Sequence, residues 1–102
     1  MKNQITTEEI IAVLKREKLM LNEKFHVKEI GLFGSFARNE ATEKSDIDFL
    51  VVIDTSLENY RASKEALHDY LKNIFGREVD LANPHSLKPH FRQRILTNAI
   101  YA

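Results

Sequence analysis

Two aspartates one residue apart, Asp46 and Asp48, stand at the entrance of the most apolar run in the chain, Ile47 to Ile53, and Gly34-Ser35 precedes Asp46 by ten intervening residues. In an extended segment side chains alternate between faces, so Asp46 and Asp48 project from the same side with Cα atoms about 6–7 Å apart. Two such carboxylates beside an apolar strand are unfavourable as anions, because desolvation and repulsion both oppose ionisation unless positive charge lies between them. A divalent cation supplies that charge. Mg²⁺ suits an incomplete set of carboxylates, since it completes its shell with water and substrate phosphate oxygens.

The Gly34-Ser35 step adds an anion-binding element. Where a strand turns into a helix, the first N–H groups have no internal partners and the dipole end is positive, which suits phosphate oxygens. Glycine lets a phosphate come close, the Ser35 hydroxyl adds a donor, and Arg38, one turn on, is placed to reach a nucleotide or brace an acid. Gly34 ends one strand and Asp46 begins the next, so both reach one site if those strands run antiparallel. Asp80 would join them from a third strand. The plainer readings are a metal-free loop pair for Asp46 and Asp48, a solvent-facing strand residue for Asp80, a helix N-cap for Ser35 and a surface ion pair for Arg38.

These groups need elements to carry them. Thr6 with Glu9 is a capping-box pattern, and Ile10, Val13, Leu14, Glu17 and Leu21 follow at helical spacing, which predicts a helix from about 7 to 24. Val27 to Phe33 reads as a strand stopped by Gly34, Ser35 to Arg38 as a short helix, and Ile47 to Ile53 as a central strand covered on both faces. Thr55 with Glu58 repeats the capping pattern, and the stripe Leu57, Tyr60, Lys64, Leu67, Leu71, Ile74 ending at Gly76 predicts a helix of about 56 to 75. Glu78 to Ala82 is a short strand before the turn Asn83-Pro84, and Leu87, Phe91, Ile95 and Ala99 trace a last helix. The order is αβαβαβα in one domain over 1–102.

Taken together, Gly34-Ser35-Phe36-Ala37-Arg38, the ten-residue gap, Asp46-Ile47-Asp48 and the later Asp80 resemble the minimal nucleotidyltransferases of the DNA polymerase β superfamily. The resemblance runs from the strand before Gly34 through the ending Ile95 to Tyr101. It implies an α/β (α+β) polymerase β-like fold, a small mixed sheet flanked by helices. It further implies that Asp46, Asp48 and Asp80 bind Mg²⁺, two ions in the usual arrangement, and orient ATP, while a hydroxyl attacks the α-phosphorus and pyrophosphate leaves. Gly34, Ser35 and Arg38 would hold the nucleotide. Small members commonly serve as antitoxins paired with a HEPN-domain toxin, some adding AMP to a tyrosine of that partner. Asn39 departs from the pattern, where glycine often follows the arginine, but touches none of the expected ligands.

Composition narrows the alternatives. The chain has 102 residues, 43% hydrophobic and 29% charged, with fifteen basic and fifteen acidic residues, so formal net charge is zero and an extended nucleic-acid footprint is disfavoured. Absent cysteines exclude thiolate nucleophiles and Cys-bound zinc, and His26, His68, His85 and His90 share no metal-ligand spacing. No signal-peptide core or bilayer-length apolar run is present, which predicts a cytoplasmic protein. Gly31-x-x-Gly34 lacks the Lys-Ser/Thr of a P-loop and the third glycine of a dinucleotide fingerprint, and its strand-like centre disfavours a KH loop. The stretch from Asn83 to Ala102 carries Lys88, Arg92 and Arg94 without an acid, which is either a solvated face or a contact for a triphosphate, RNA or an acidic partner. So small a chain leaves little for an acceptor pocket. A partner or a second copy would supply it, with a non-catalytic occluding antitoxin and transfer to RNA or a small molecule as the rival readings.

Overall fold

The computed structural model describes residues 5–54, 56 and 58–102. Helix α1 spans Thr7–Phe25, and both arms of the Thr6/Glu9 capping box form. The chain leaves α1 through His26 in the left-handed region and enters strand β1, Val27–Phe33. A four-residue helix, α2 (Gly34–Ala37), and a polar connection lead to β2, Ile47–Ile53. Both strands have the bounds that the sequence predicts.

Helix α3 begins at Tyr60, later than the predicted start near 56, and ends at Phe75 with Gly76 left-handed after it. Asn59 precedes α3 without a side-chain cap bond, and the expected cap at Thr55 lies outside the described residues, as does Leu57. Strand β3 is Val79–Ala82, followed by a 3₁₀ turn at Pro84–Ser86 and by α4, Pro89–Asn98. Leu87 is outside α4 because Pro89 fixes the first helical position and forces Lys88 to be extended, with ψ 144°. The predicted last helix also stops short of Ala99. Ile100–Tyr101 is instead a strand, β4, which adds one element to the expected order.

The four strands lie in the order β3-β2-β1-β4, with β1 antiparallel to both β2 and β4 and β2 parallel to β3. Alternation sorts β2 between two faces. Ile47, Phe49, Val51 and Ile53 join the main core with Ile10, Leu14, Leu21, Leu67 and Leu71, while Leu50 is buried outside that cluster. Full burial of each large apolar side chain contributes about 1.5–3 kcal/mol. Aromatic contacts close the helical layer, Phe25 on Tyr70 at 5.4 Å and Phe49 on Phe75 at 5.8 Å between ring centroids. Phe75 thus takes the core position at the end of α3, and Ile74, in the predicted stripe, is exposed.

Strand β4 reaches β1 only because Gly31 has no side chain. A Cβ there would stand 2.6 Å from the Ile100 carbonyl oxygen and 3.0 Å from Tyr101 Cα, and Ala102 N–H donates to the Ile30 carbonyl at 3.0 Å. Gly31→Ala is therefore expected to destabilise the fold by about 1–3 kcal/mol, the usual cost of overpacking. Urea unfolding checks this, and an unchanged midpoint would show that β4 is not held against β1.

Candidate active site

The register of the sheet builds the site. Phe33 at the end of β1 pairs with Asp48 on β2, and Asp48 pairs with Asp80 on β3, so the two aspartates share one row across neighbouring strands. Partners in such a row lie on the same face, which for β2 is the face opposite the main core. Asp46 precedes β2 by one residue and acts electrostatically on Asp48. The sequence-predicted carboxylates are thus brought together, with Asp48 half-buried and Asp46 and Asp80 exposed.

Gly34 completes this arrangement from the other side. Its φ is +71°, and a Cβ at this position would run into the Asp48 carboxylate, lying 3.0 Å from Cγ and 3.2 Å from Cβ. The glycine is required twice, for the left-handed turn and for the close approach. Ser35 follows in α2, and its hydroxyl has no partner among the described residues. It is not the N-cap, a position held by Phe33 without a side-chain bond. Arg38 pairs with Glu40 at 3.0 Å as an exposed ion pair, yet its charge also favours ionised Asp48. Asn39 has φ +57°, which explains why glycine suits that position and why asparagine, tolerant of left-handed geometry, can replace it.

Asp48 titrates at about 6, above the ordinary carboxylate range. Partial desolvation is the largest cause, followed by the charges of Asp80 and Asp46 and a hydrogen bond with Asp80, with Arg38 opposing them. Among the described residues no three His, Asp or Glu side chains form a ready metal cage. The donor chemistry nevertheless fits Mg²⁺, a hard cation that takes one or two carboxylates and fills its shell from water and phosphate. Positive charge at the row would relieve the repulsion that raises the Asp48 pKa.

One feature of the site was not expected from sequence, and a second was only one of the readings left open for the stretch from Asn83 to Ala102. Arg77 donates to the carbonyls of Thr42 at 2.9 Å and Ser45 at 2.8 Å, and its guanidinium lies 5.3 Å from the buried Phe36 ring. It thereby ties the connection carrying Asp46 to the helix carrying Ser35. The second feature is a cleft of about 480 Å³ beside Gly34 and Arg38, walled by Phe91, Arg94, Thr97 and Asn98 of α4. The acid-free composition of this stretch was its only sequence signal.

The model of the nucleotidyltransferase domain family matches residues 14–102. A Methanocaldococcus jannaschii protein described as a candidate protein adenylyltransferase is 41% identical over 99 residues, spanning 94% of this chain and 97% of its own length. The protein adenylyltransferase MntA of Thermococcus cleftensis is 38% identical over 97 residues, spanning 95% and 96%. A solved candidate minimal nucleotidyltransferase superposes with a TM-score of 0.77 at 28% identity over 97% of this chain and 98% of its own. A toxin–antitoxin structure with AMP-PNP gives 0.63 at 25% identity over 95% and 72%. The chain belongs to the nucleotidyltransferase domain family, in its minimal branch, and is a nucleotidyltransferase. Among the described residues no helix is long and apolar enough to cross a membrane.

The raised Asp48 pKa has a signed consequence for stability. Because the folded state holds this proton more tightly than the unfolded chain, the associated stability is present below about pH 4 and is lost as pH rises through about 6. In metal-free protein Asp48→Asn is expected to raise the thermal midpoint near pH ~7.5 and to flatten its change between pH ~4 and ~6. Thermal unfolding across that range checks this, and an asparagine variant less stable than wild type at neutral pH would contradict it.

Proposed function

We propose that the chain transfers AMP from ATP, with Mg²⁺, to a hydroxyl of a partner protein, and that it acts in this way as the antitoxin of a HEPN-domain toxin. The observation that carries the reading is the row Gly34, Asp48, Asp80, in which a left-handed glycine backs directly onto a carboxylate that is itself crowded by two others. Nothing in the stability of the fold favours that crowding. The relatives named as protein adenylyltransferases and the toxin–antitoxin structure with AMP-PNP support the protein acceptor and the antitoxin role. A tyrosine hydroxyl is the acceptor we favour, and the cytoplasm the compartment.

In this reading the turn at Gly34-Ser35 binds the triphosphate through backbone N–H groups and the free Ser35 hydroxyl. Arg38 and Arg94, which line the same cleft, offset the phosphate charge. Asp46, Asp48 and Asp80 hold Mg²⁺, which when bound neutralises phosphate oxygens and favours attack at the α-phosphorus. Asp80, the exposed partner of Asp48 on β3, accepts the proton as the acceptor oxygen bonds to phosphorus and the bond to pyrophosphate breaks.

The test is transfer of label to the protein encoded beside this chain, with Mg²⁺ and α-³²P-ATP compared with γ-³²P-ATP on a denaturing gel. Label is expected from the α position alone, and Asp46→Asn with Asp48→Asn is expected to abolish it. Asp80→Asn is expected to slow transfer by about 10²-fold or more, as loss of a general base does. Label that survives the double variant would overturn the site. Absence of label, with the double variant still neutralising the partner, would favour an antitoxin that acts by occlusion.

A further inference from the structure

The row of carboxylates has two flanks. The strand order puts Gly34 and the cleft under α4 on the β1 side of Asp48, and Asp80 on the β3 side. On that second side lies a hollow of about 390 Å³ between β3 and α3, bordered by Arg61, Lys64, Glu65, His68, Asp80 and Leu81. In-line displacement at phosphorus brings the attacking oxygen in opposite the leaving one. With ATP in the cleft beside Gly34, as the proposed function has it, the hollow at Asp80 lies on the side opposite the nucleotide, where an in-line acceptor would enter.

The cations of this hollow have no structural partner. Arg61 and Lys64 stand one turn apart on α3, and their side chains make no ion pair or hydrogen bond among the described residues. Lys72, two turns beyond Lys64, is by contrast bound by Glu78 at 2.7 Å. Helix geometry makes the position of Arg61 costlier still. It is the second residue of α3, whose first turn has no acid, and a cation there opposes the helix dipole. Neither helix stability nor ion pairing accounts for the pair, whereas binding an anion beside Asp80 does.

We propose that Arg61 and Lys64 form an acceptor subsite that selects a hydroxyl carried on an acidic protein segment. A carboxylate suits the planar fork of Arg61, and Lys64 adds a second point charge. A polynucleotide acceptor is disfavoured here. Glu65 borders the same hollow, Asp69 is exposed one turn further on, and Asp80 closes it, so a continuous phosphate backbone would meet three acids against two cations.

The experiment uses the full chain, α-³²P-ATP and the protein encoded beside it as acceptor, with the labelled residue then located by mass spectrometry. Arg61→Glu with Lys64→Glu is expected to raise the acceptor KM about tenfold, to weaken its salt dependence and to leave the KM for ATP within about twofold. Thermal unfolding verifies that the variant is folded, and Arg61→Ala with Lys64→Ala provides a milder pair. Carboxylate-to-amide changes around the labelled hydroxyl should raise the wild-type acceptor KM and have little further effect in the charge-reversed variant. An unchanged acceptor KM in both pairs, a labelled hydroxyl without acidic neighbours, or labelling of RNA in preference to the protein would overturn the subsite while leaving nucleotidyl transfer intact. A wild type that labels nothing would overturn the transfer reading and the subsite with it.

Discussion

The contact between Gly34 and the Asp48 carboxylate is the constraint on which the rest of the structure depends. It requires β1 and β2 to be antiparallel and in one register, because a shift of a single residue would send Asp48 into the core and bring Ile47 or Phe49 to the glycine. It requires a left-handed turn where β1 ends, which sets the direction of α2 and hence the place of Ser35 and Arg38. The parallel pairing of β3 then decides which acid faces Asp48. With Val79 locked into the core, Asp80 falls on the site face.

Such a cluster raises its own cost, and the surroundings carry it. Asp48 is pressed between partial burial and two like charges, so the row is electrostatically poised for a cation. What prevents it from splaying is packing behind it and Arg77 beside it. The opposite face of β2 is almost wholly buried, and the buried Thr7 hydroxyl donates to the Phe36 carbonyl at 2.6 Å, fixing α2 to α1. Arg77 satisfies two carbonyls of the connection before Asp46 while lying on the Phe36 ring. The acids are thus backed by the best-packed part of the molecule.

Much of this was legible in the sequence, and the parts that were not share a physical reason. The bounds of β1 and β2, the capping box of α1 and the three aspartates follow from local patterns of apolarity, turn residues and charge. The sequence brings Gly34 and Asp46 to one site only if their strands run antiparallel, a condition that β1 and β2 meet, and the acid that lies against the glycine is Asp48. Strand β4 was hidden because Ile100 and Tyr101 directly follow the helical stripe that reaches Ala99, and a two-residue strand exists only by its pairing. The signal was Gly31, a glycine within a strand, which marks close backbone approach. Pro89 likewise marked the true start of α4. Arg77 was not readable at all, since it acts through carbonyls of Thr42 and Ser45, more than thirty residues away in sequence. Nothing local distinguishes it from the exposed Arg61.

Helix α4 walls the cleft beside Gly34 and Arg38 but has no fully buried residue. Its own packing therefore contributes little to its position, and Phe91 stands 49% exposed. It is instead fixed at its two ends, by the proline-initiated turn after β3 and by β4 lying across Gly31. Of its apolar residues, Ile95 and Leu96 are only half-buried, so the sheet core does not depend on α4. Asp48 and Asp80 are thus mounted on the sheet, and one wall of the cleft is a helix that adds no fully buried residue to it. In the proposed function, that division sets the nucleotide between the carboxylate row and a wall with little packing of its own.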